Sequence, residues 1–339
     1  MAIETAWELG DAMRELTPEN TADYLRETGR VDPDRAVEAR ALGGGVSNFV
    51  LRVDVAGAPP FVLKQARARL RTKKLWVSRL ERVGTERDAL ELLDTILPAG
   101  TVPRVLFSDD DNSLFAMTHA PEESAVWKEQ LLAGVVDPEV ARRAGTILGA
   151  IHRATVDHPA LAGRFADTAV FDELRIDPFY RELARVHPAI KPRIDALVAS
   201  MADPPARCLV LADFSPKNML VHPRGLTLVD FETAHAGDPA FDLGFFLSHL
   251  DLKHAAARAR FGASVDADWL GLKEAFVAAY DEAAGPRIAS AVWNRAELHR
   301  LACQWARIDG KSPVDYLDDD LRADLRTILA RAFVEMVPI

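Results

Sequence analysis

Asp213 and Asn218 stand five residues apart in the segment Asp213-Phe214-Ser215-Pro216-Lys217-Asn218, between the short apolar runs Cys208 to Leu211 and Met219 to Val221. Twelve residues after Asn218, a further apolar run, Leu226 to Val229, ends on Asp230. Moving a phosphoryl group to a hydroxyl needs a carboxylate that orients the hydroxyl and accepts its proton. It also needs oxygen ligands for Mg²⁺, which neutralises charge on the β- and γ-phosphates of a nucleotide. Asp213 suits the first task, and Asn218 with Asp230 suits the second. Taken alone, an Asp and an Asn at this spacing are ordinary turn residues; the order of the residues around them favours the chemical reading.

Upstream, Leu42-Gly43-Gly44-Gly45-Val46-Ser47-Asn48-Phe49 joins two β-prone runs and lacks the Gly-Lys-Ser/Thr ending of a Walker motif. Gly43, Gly44, Gly45, Ser47 and Asn48 are expected to fold over ATP phosphates and offer backbone N–H groups, with a plain hairpin turn as the alternative. Lys64 ends the apolar run Phe61-Val62-Leu63 and could reach the α- and β-phosphates; a surface lysine is the alternative. Glu86 is the preferred partner to hold it, with Glu81 as the competitor. Met117 to Ala120 is the expected hinge lining the ATP cleft, with Met117 and His119 as nucleotide contacts.

These groups need two lobes to bring them together. Strand-like runs at 37–42, 49–55, 60–65, 104–108 and 113–117 predict a small antiparallel sheet, interrupted by one long helical stretch from Thr72 to Leu97 and preceded by a helical prelude opened by Thr17-Pro18-Glu19. After His119-Ala120-Pro121 the pattern turns helical, at 137–157, 172–200, 240–258, 267–284, 288–306 and 319–335. The expected fold class is α+β, with an N-lobe over 1–118 and a larger, mainly helical C-lobe over 119–339.

The composition agrees with such an enzyme. With 339 residues, 49% hydrophobic and 27% charged, the chain has material for two lobes and is not the composition of a disordered protein. A net charge of −10 argues against a nucleic-acid partner, whose phosphates call for an excess of Lys and Arg. Cys208 and Cys303 lack the paired spacing of a zinc site or a disulfide framework, and His235, His249 and His254 show no metal-binding spacing. His152, on an apolar helix face, reads as a packed residue. The first residues do not read as a secretory signal, and no apolar run approaches the roughly 20 residues that span a bilayer. A cytoplasmic protein without a membrane partner, monomeric or a homodimer, is expected.

The order Gly-rich hairpin, Lys64, Glu86, Asp213 to Asn218, Asp230 resembles the aminoglycoside phosphotransferase and choline kinase superfamily of protein-kinase-like enzymes, from about residue 17 to 335. Leu148-Gly149-Ala150-Ile151-His152 resembles the helix before the catalytic loop, and the stretch from Phe231 to Gly244 resembles the segment after the metal-binding Asp. Leu16-Thr17-Pro18-Glu19-Asn20 with Tyr24-Leu25 gives a fainter likeness to the methylthioribose kinase branch. The resemblance implies that Asp242 anchors the catalytic loop by hydrogen bonds, that Ser215 and Lys217 support it, and that ATP and Mg²⁺ are used to phosphorylate a small hydroxylated metabolite or antibiotic. The chain departs from the family at Leu211-Ala212-Asp213, where His-Gly-Asp is usual, which leaves a catalytically weak nucleotide-binding module as the alternative. The loop Arg307-Ile308-Asp309-Gly310-Lys311-Ser312-Pro313-Val314-Asp315-Tyr316 offers Arg307, Asp309 and Lys311 as candidate substrate contacts, or else a helix cap with ordinary ion pairs.

Overall fold

Alternation along Asn48–Val55 turns Leu51, Val53 and Val55 to one face, where they meet Tyr24 and Leu25 of a short helix, α1 (Thr21–Glu27). This strand, β2, lies between β1 (Val37–Ala41) and β3 (Phe61–Ala66) in an antiparallel sheet completed by β4 (Val105–Asp109) and β5 (Leu114–Thr118), in the order β1-β2-β3-β5-β4. The structure is a computed structural model that describes residues 13–43, 48–67 and 79–336. All five strands stand within a residue or two of the runs read from the sequence.

β3 is covered on both faces, so its parity decides what Lys64 meets. Leu63 joins the cluster under α1, and Gln65 binds the backbone of Arg14, Leu16 and Asn112. Val62, Lys64 and Ala66 share the opposite face. There Val62 and Ala66 pack with Val83, Ala89, Leu90 and Leu93 of α2 (Arg82–Ile96). The long stretch expected from Thr72 is helical only from Arg82 among the described residues; 68–78 lie outside them.

Beyond β5 come β6 (Ala125–Val126), α3 (Trp127–Leu132), α4 (Pro138–Thr155), and two single-turn helices, α5 (Pro159–Ala162) and α6 (Ala169–Phe171). The helix expected over 172–200 is in fact broken into a π-helix (Asp172–Arg181), α7 (Glu182–Val186), a 3₁₀ turn (Pro188–Ile190) and α8 (Lys191–Ser200). Pro178 and Pro188 account for the breaks, since each removes a backbone donor from an α-helical ladder. Next, β7 (Cys208–Val210) will pair with β10 (His235–Gly237), while β8 (Met219–His222) and β9 (Gly225–Leu228) form a small sheet with β6.

The remaining helices are α9 (Pro239–Phe261), α10 (Asp266–Ala284), α11 (Pro286–Asp309) and α12 (Asp319–Met336). Two pairs of these helices cross closely at glycines. A Cβ on Gly145 or Gly149 of α4 would stand 2.3 Å from the Phe276 carbonyl oxygen or 2.7 Å from that of Tyr280 on α10, and one on Gly244 of α9 would meet the Ala296 carbonyl of α11 at 2.5 Å. These helices frame the small strands that carry the loops. Among the described residues, no helix is long and apolar enough to cross a membrane.

Candidate active site

Two antiparallel strands set the first loop. β7 leaves its pairing with β10 at Val210, and the chain turns through Leu211 and Ala212 to Asp213. Asp242, fully buried in the first turn of α9, accepts the N–H of Leu211 at 2.8 Å and of Ala212 at 2.7 Å, while Thr233 Oγ1 donates to the Leu211 carbonyl at 2.8 Å. His152 Nε2 lies 3.3 Å from the same Asp242 carboxylate, and His152 Nδ1 lies 2.9 Å from the Tyr280 hydroxyl. Ala212 takes a left-handed φ of 58°, uncommon for a residue with a Cβ.

Asp213 is held on both oxygens. Arg175 Nη2 approaches Oδ1 at 2.8 Å, and Lys217 Nζ and Asn218 Nδ2 approach Oδ2 at 2.8 and 2.9 Å. Arg175 Nε also donates to the Ala212 carbonyl at 2.5 Å. Ser215 is buried and opens the 3₁₀ turn Pro216–Asn218, its carbonyl accepting the Asn218 N–H. Val229 N–H donates to the Asn218 carbonyl at 3.0 Å, which brings Asp230, with φ of 73°, back beside the loop. Asp213, Ser215, Asn218 and Asp230 line one small cavity.

From the sheet, Lys64 Nζ reaches Asp230 Oδ1 at 2.7 Å and Glu86 Oε2 at 2.6 Å. Glu86, not Glu81, is therefore the partner. Burial opposes the charge on Lys64, but Asp230, Glu86 and Glu232 together outweigh it and hold the ammonium well above its usual pKa. Burial raises Glu86 despite Lys64. Asp230 is lowered, because Lys64, Lys217 and Arg175 outweigh its own desolvation.

Glu86, Asp230 and Glu232 each present an oxygen within 4.8 Å of the others. Asn218 spends its amide nitrogen on Asp213, which leaves the amide oxygen as its ligating atom, and Asp230 keeps one oxygen off Lys64. An all-oxygen donor set of this kind fits a hard divalent cation such as Mg²⁺.

Sequence reasoning missed Glu232 and Arg175. Glu232 accepts from Asn48 Nδ2 at 2.8 Å and Arg82 Nε at 3.2 Å, tying the glycine hairpin's far end and α2 to the segment after Asp230. Its signal was the two-residue step from Asp230. Arg175 sits in the irregular helix, and nothing in its own neighbourhood marks it.

The other expected residues are placed as follows. Gly43 lies at the start of the hairpin, whereas Gly44, Gly45 and Ser47 lie outside the described residues. Met117 is buried in β5, and His119 Nε2 stands 3.3 Å from Arg52 Nη1 just beyond that strand. Asp309 is occupied by Arg326, His187 and Trp305, and Lys311 by Asp177. Arg307 instead adjoins the site, its guanidinium carbon 5.8 Å from the Phe179 ring that Arg175 also flanks.

Several known proteins are similar to this chain in sequence or in fold. The methylthioribose kinase of Cronobacter sakazakii is 26% identical over 286 residues, covering 75% of this chain and 70% of that one. Choline kinase from Cryptosporidium parvum superposes with a TM-score of 0.61 at 12% identity, over 95% of this chain and 96% of that one. The macrolide 2'-phosphotransferase MphH from Brachybacterium faecium does so with a TM-score of 0.51 at 21% identity, over 93% and 98%. The fold is protein-kinase-like, with the antiparallel sheet before a mainly helical region. Residues 38–299 match the phosphotransferase enzyme family, APH. That match runs from β1 to α11, and the chain belongs to the phosphotransferase enzyme family.

Proposed function

We propose that this chain transfers the γ-phosphoryl group of ATP to a hydroxyl of a small molecule, in a cleft between an N-lobe (1–118) and a C-lobe (119–339). One observation carries the reading: the ammonium of Lys64 and the carboxylate of Asp230, 166 residues apart, meet at 2.7 Å beside the cavity that Asp213 and Asn218 also line.

In this reading Lys64, oriented by Glu86, holds the α- and β-phosphates. Gly43 and Asn48 adjoin them, and Met117 and His119 border the base. Asn218 and Asp230 hold Mg²⁺, which neutralises phosphate charge. Asp213 takes the proton of the acceptor hydroxyl as its oxygen bonds to the γ-phosphorus and the bond to the β–γ bridging oxygen breaks, releasing ADP. Arg175, Lys217, Ser215 and Asp242 keep Asp213 in place, so that positioning supplies most of the rate.

The rival is a nucleotide-binding module of little activity, suggested by Leu211 where histidine is usual. Against it, both main-chain groups of Leu211 are paired without help from its side chain. The test is Mg²⁺-dependent ATP consumption across neutral sugars, methylthioribose among them because of the named relatives, with amino alcohols, aminoglycosides, sugar phosphates and hydroxy acids. Phosphorylation of any member supports the kinase; nucleotide binding without turnover on every member supports the module.

A further inference from the structure

A second set of charged side chains adjoins Asp213, and the phosphoryl-transfer roles above do not use it. Lys253, on α9, is 2% exposed, yet among the described residues no carboxylate oxygen lies within 4 Å of its ammonium. The hydrogen bond recorded for Nζ goes to the His249 carbonyl one turn earlier, at 3.3 Å. Arg307, on α11, is likewise without an ion pair. Its Nη1 donates to the Ser312 carbonyl and hydroxyl, but its Nε is buried and unpartnered, as are His249 Nε2 and the Tyr316 hydroxyl.

Aromatic rings join these groups into one enclosure. Arg175, on Asp213, lies 5.3 Å from the Phe245 ring and 5.9 Å from the Phe179 ring. Phe179 also faces Arg307 at 5.8 Å, the Tyr316 ring faces Lys253 at 5.3 Å, and His249 packs against Phe245 at 4.8 Å. Arg175 and Lys217 pair with Asp213, Arg307 lies within reach of the same carboxylate's charge, and Arg307 and Lys217 in turn act on Lys253. The next acidic group, Asp315, has a side chain 86% exposed and stands 3.9 Å from Lys128. Burial first, then Arg307, Lys128 and Lys217, push Lys253 down to about 7.

An ammonium held in such a place is costly unless an anion arrives to pair with it. The unpartnered Arg307 Nε and the spare Lys253 hydrogens can only donate, and the Tyr316 hydroxyl and His249 Nε2 can each donate as well, so the enclosure suits a ligand rich in acceptor oxygens.

We propose that this enclosure seats an anionic group of the acceptor, a phosphate monoester or a carboxylate, on Lys253 and Arg307. The substrate is then an acidic hydroxy compound, not a neutral sugar or a cationic amino alcohol or aminoglycoside. This rests on the phosphotransfer reading for its placement beside Asp213, and it deepens that reading.

The test uses the full chain with saturating Mg·ADP, titrated calorimetrically with inorganic phosphate and, separately, with malonate, for the wild type, Lys253→Met and Arg307→Met. Methionine keeps the apolar stem and removes the buried charge, so Lys253→Met should fold at least as well as the wild type. At least one anion should bind, and its affinity should fall tenfold or more in each variant, while ADP affinity stays within twofold. Which anion binds more tightly distinguishes a phosphate ester from a carboxylate. Equal anion binding in wild type and variants, or none in the wild type, overturns the proposal. In turnover, a phosphorylated or carboxylated acceptor should exceed its neutral counterpart by at least a hundredfold in kcat/KM, with Lys253→Met erasing the preference through KM. A neutral or cationic acceptor that matches the acidic one also overturns it, and leaves the kinase standing. Failure of the wild type to bind ADP would count against the kinase itself, and the same anion titrations without nucleotide would still decide this proposal.

Discussion

The carboxylate of Asp242 receives the backbone N–H of Leu211 at 2.8 Å, and the same side chain takes the N–H of Ala212 with its other oxygen. The turn into Asp213 is thus shaped through its main chain from α9, while the Leu211 side chain does no more than pack at 2% exposure. An apolar residue at 211 removes no hydrogen bond on which this turn relies.

Asp242→Asn replaces one accepting oxygen with a donor that faces another donor, at a fully buried position. Breaking a buried charged hydrogen-bond set of this kind costs about 3 kcal/mol. Urea unfolding should show that loss. Turnover should fall as well, because Ala212 would no longer be held at its left-handed φ. A variant with wild-type stability and turnover would show that Asp242 does not set the turn.

Asp213→Asn should keep nucleotide affinity within a few-fold, since the proposed nucleotide side rests on Lys64, Glu86 and Asp230. Turnover should drop by roughly 10²–10⁴, the usual contribution of a proton acceptor in this position. Arg175→Met keeps Asp213 but removes its 2.8 Å partner and the donor to the Ala212 carbonyl. A smaller fall in kcat is expected there, with KM for ATP little changed. Calorimetry with Mg·ADP alongside turnover separates the two effects, and a loss of nucleotide binding in either variant would contradict the assignment.

How much of this was legible from the residues differs from element to element. The five strands could be placed because apolar runs bounded by turn residues announce themselves locally, whereas Glu86 could only be preferred to Glu81 as the partner of Lys64, because the register of a long helix is not fixed by its own sequence; the fold decides for Glu86. Asp213, Asn218 and Asp230 could be singled out as candidates because their spacing is short and apolar runs flank them, and the fold brings all three to one cavity. Arg175 was not readable: its role depends on a π-helix that Pro178 shapes and on a chain return that brings residue 175 against residue 213. Lys253 lay hidden for a related reason, since an isolated lysine on an apolar helix reads as a side chain that snorkels to solvent. Asp309 and Lys311 were drawn into the same candidate list as Arg307 by adjacency in sequence. α11 ends at Asp309, and only the fold shows Asp309 on Arg326 and Lys311 on Asp177.

The close helix crossings make a stability prediction independent of chemistry. Gly145→Ala would drive a methyl to 2.3 Å from the Phe276 carbonyl, backbone that can yield only if α4 and α10 separate, so a loss of about 3 kcal/mol is expected. Gly271, inside α10, has nothing within 4 Å of a Cβ. Gly271→Ala should therefore stabilise by roughly 0.5–1 kcal/mol through helix propensity alone. Opposite shifts in the unfolding midpoint would confirm the crossing geometry, and equal shifts would refute it.

The buried imidazoles set the acid limit of stability. Burial pushes His235, stacked on Phe171 at 4.1 Å, down to about 4, and does the same to His299, whose Nδ1 stands 2.8 Å from the Tyr180 hydroxyl. Unfolded histidine titrates near 6.5. Between about 6.5 and 4 the unfolded chain binds protons that the folded chain refuses, so stability rises with pH across that window and is lost as pH falls through it. Each ring withholds on the order of 3 kcal/mol once pH reaches the folded value, at about 1.4 kcal/mol per pH unit. Urea midpoints taken at pH 7.0, 5.5 and 4.5 should decline steadily, before most carboxylates titrate. His299→Gln, which can keep the Tyr180 hydrogen bond but carries no proton to refuse, should flatten the slope by about a third, since burial holds His249 down as well. A midpoint that holds constant from pH 7 to 4.5 would mean that these rings are solvated or charged in the folded chain, against the 4% and 0% exposure seen here.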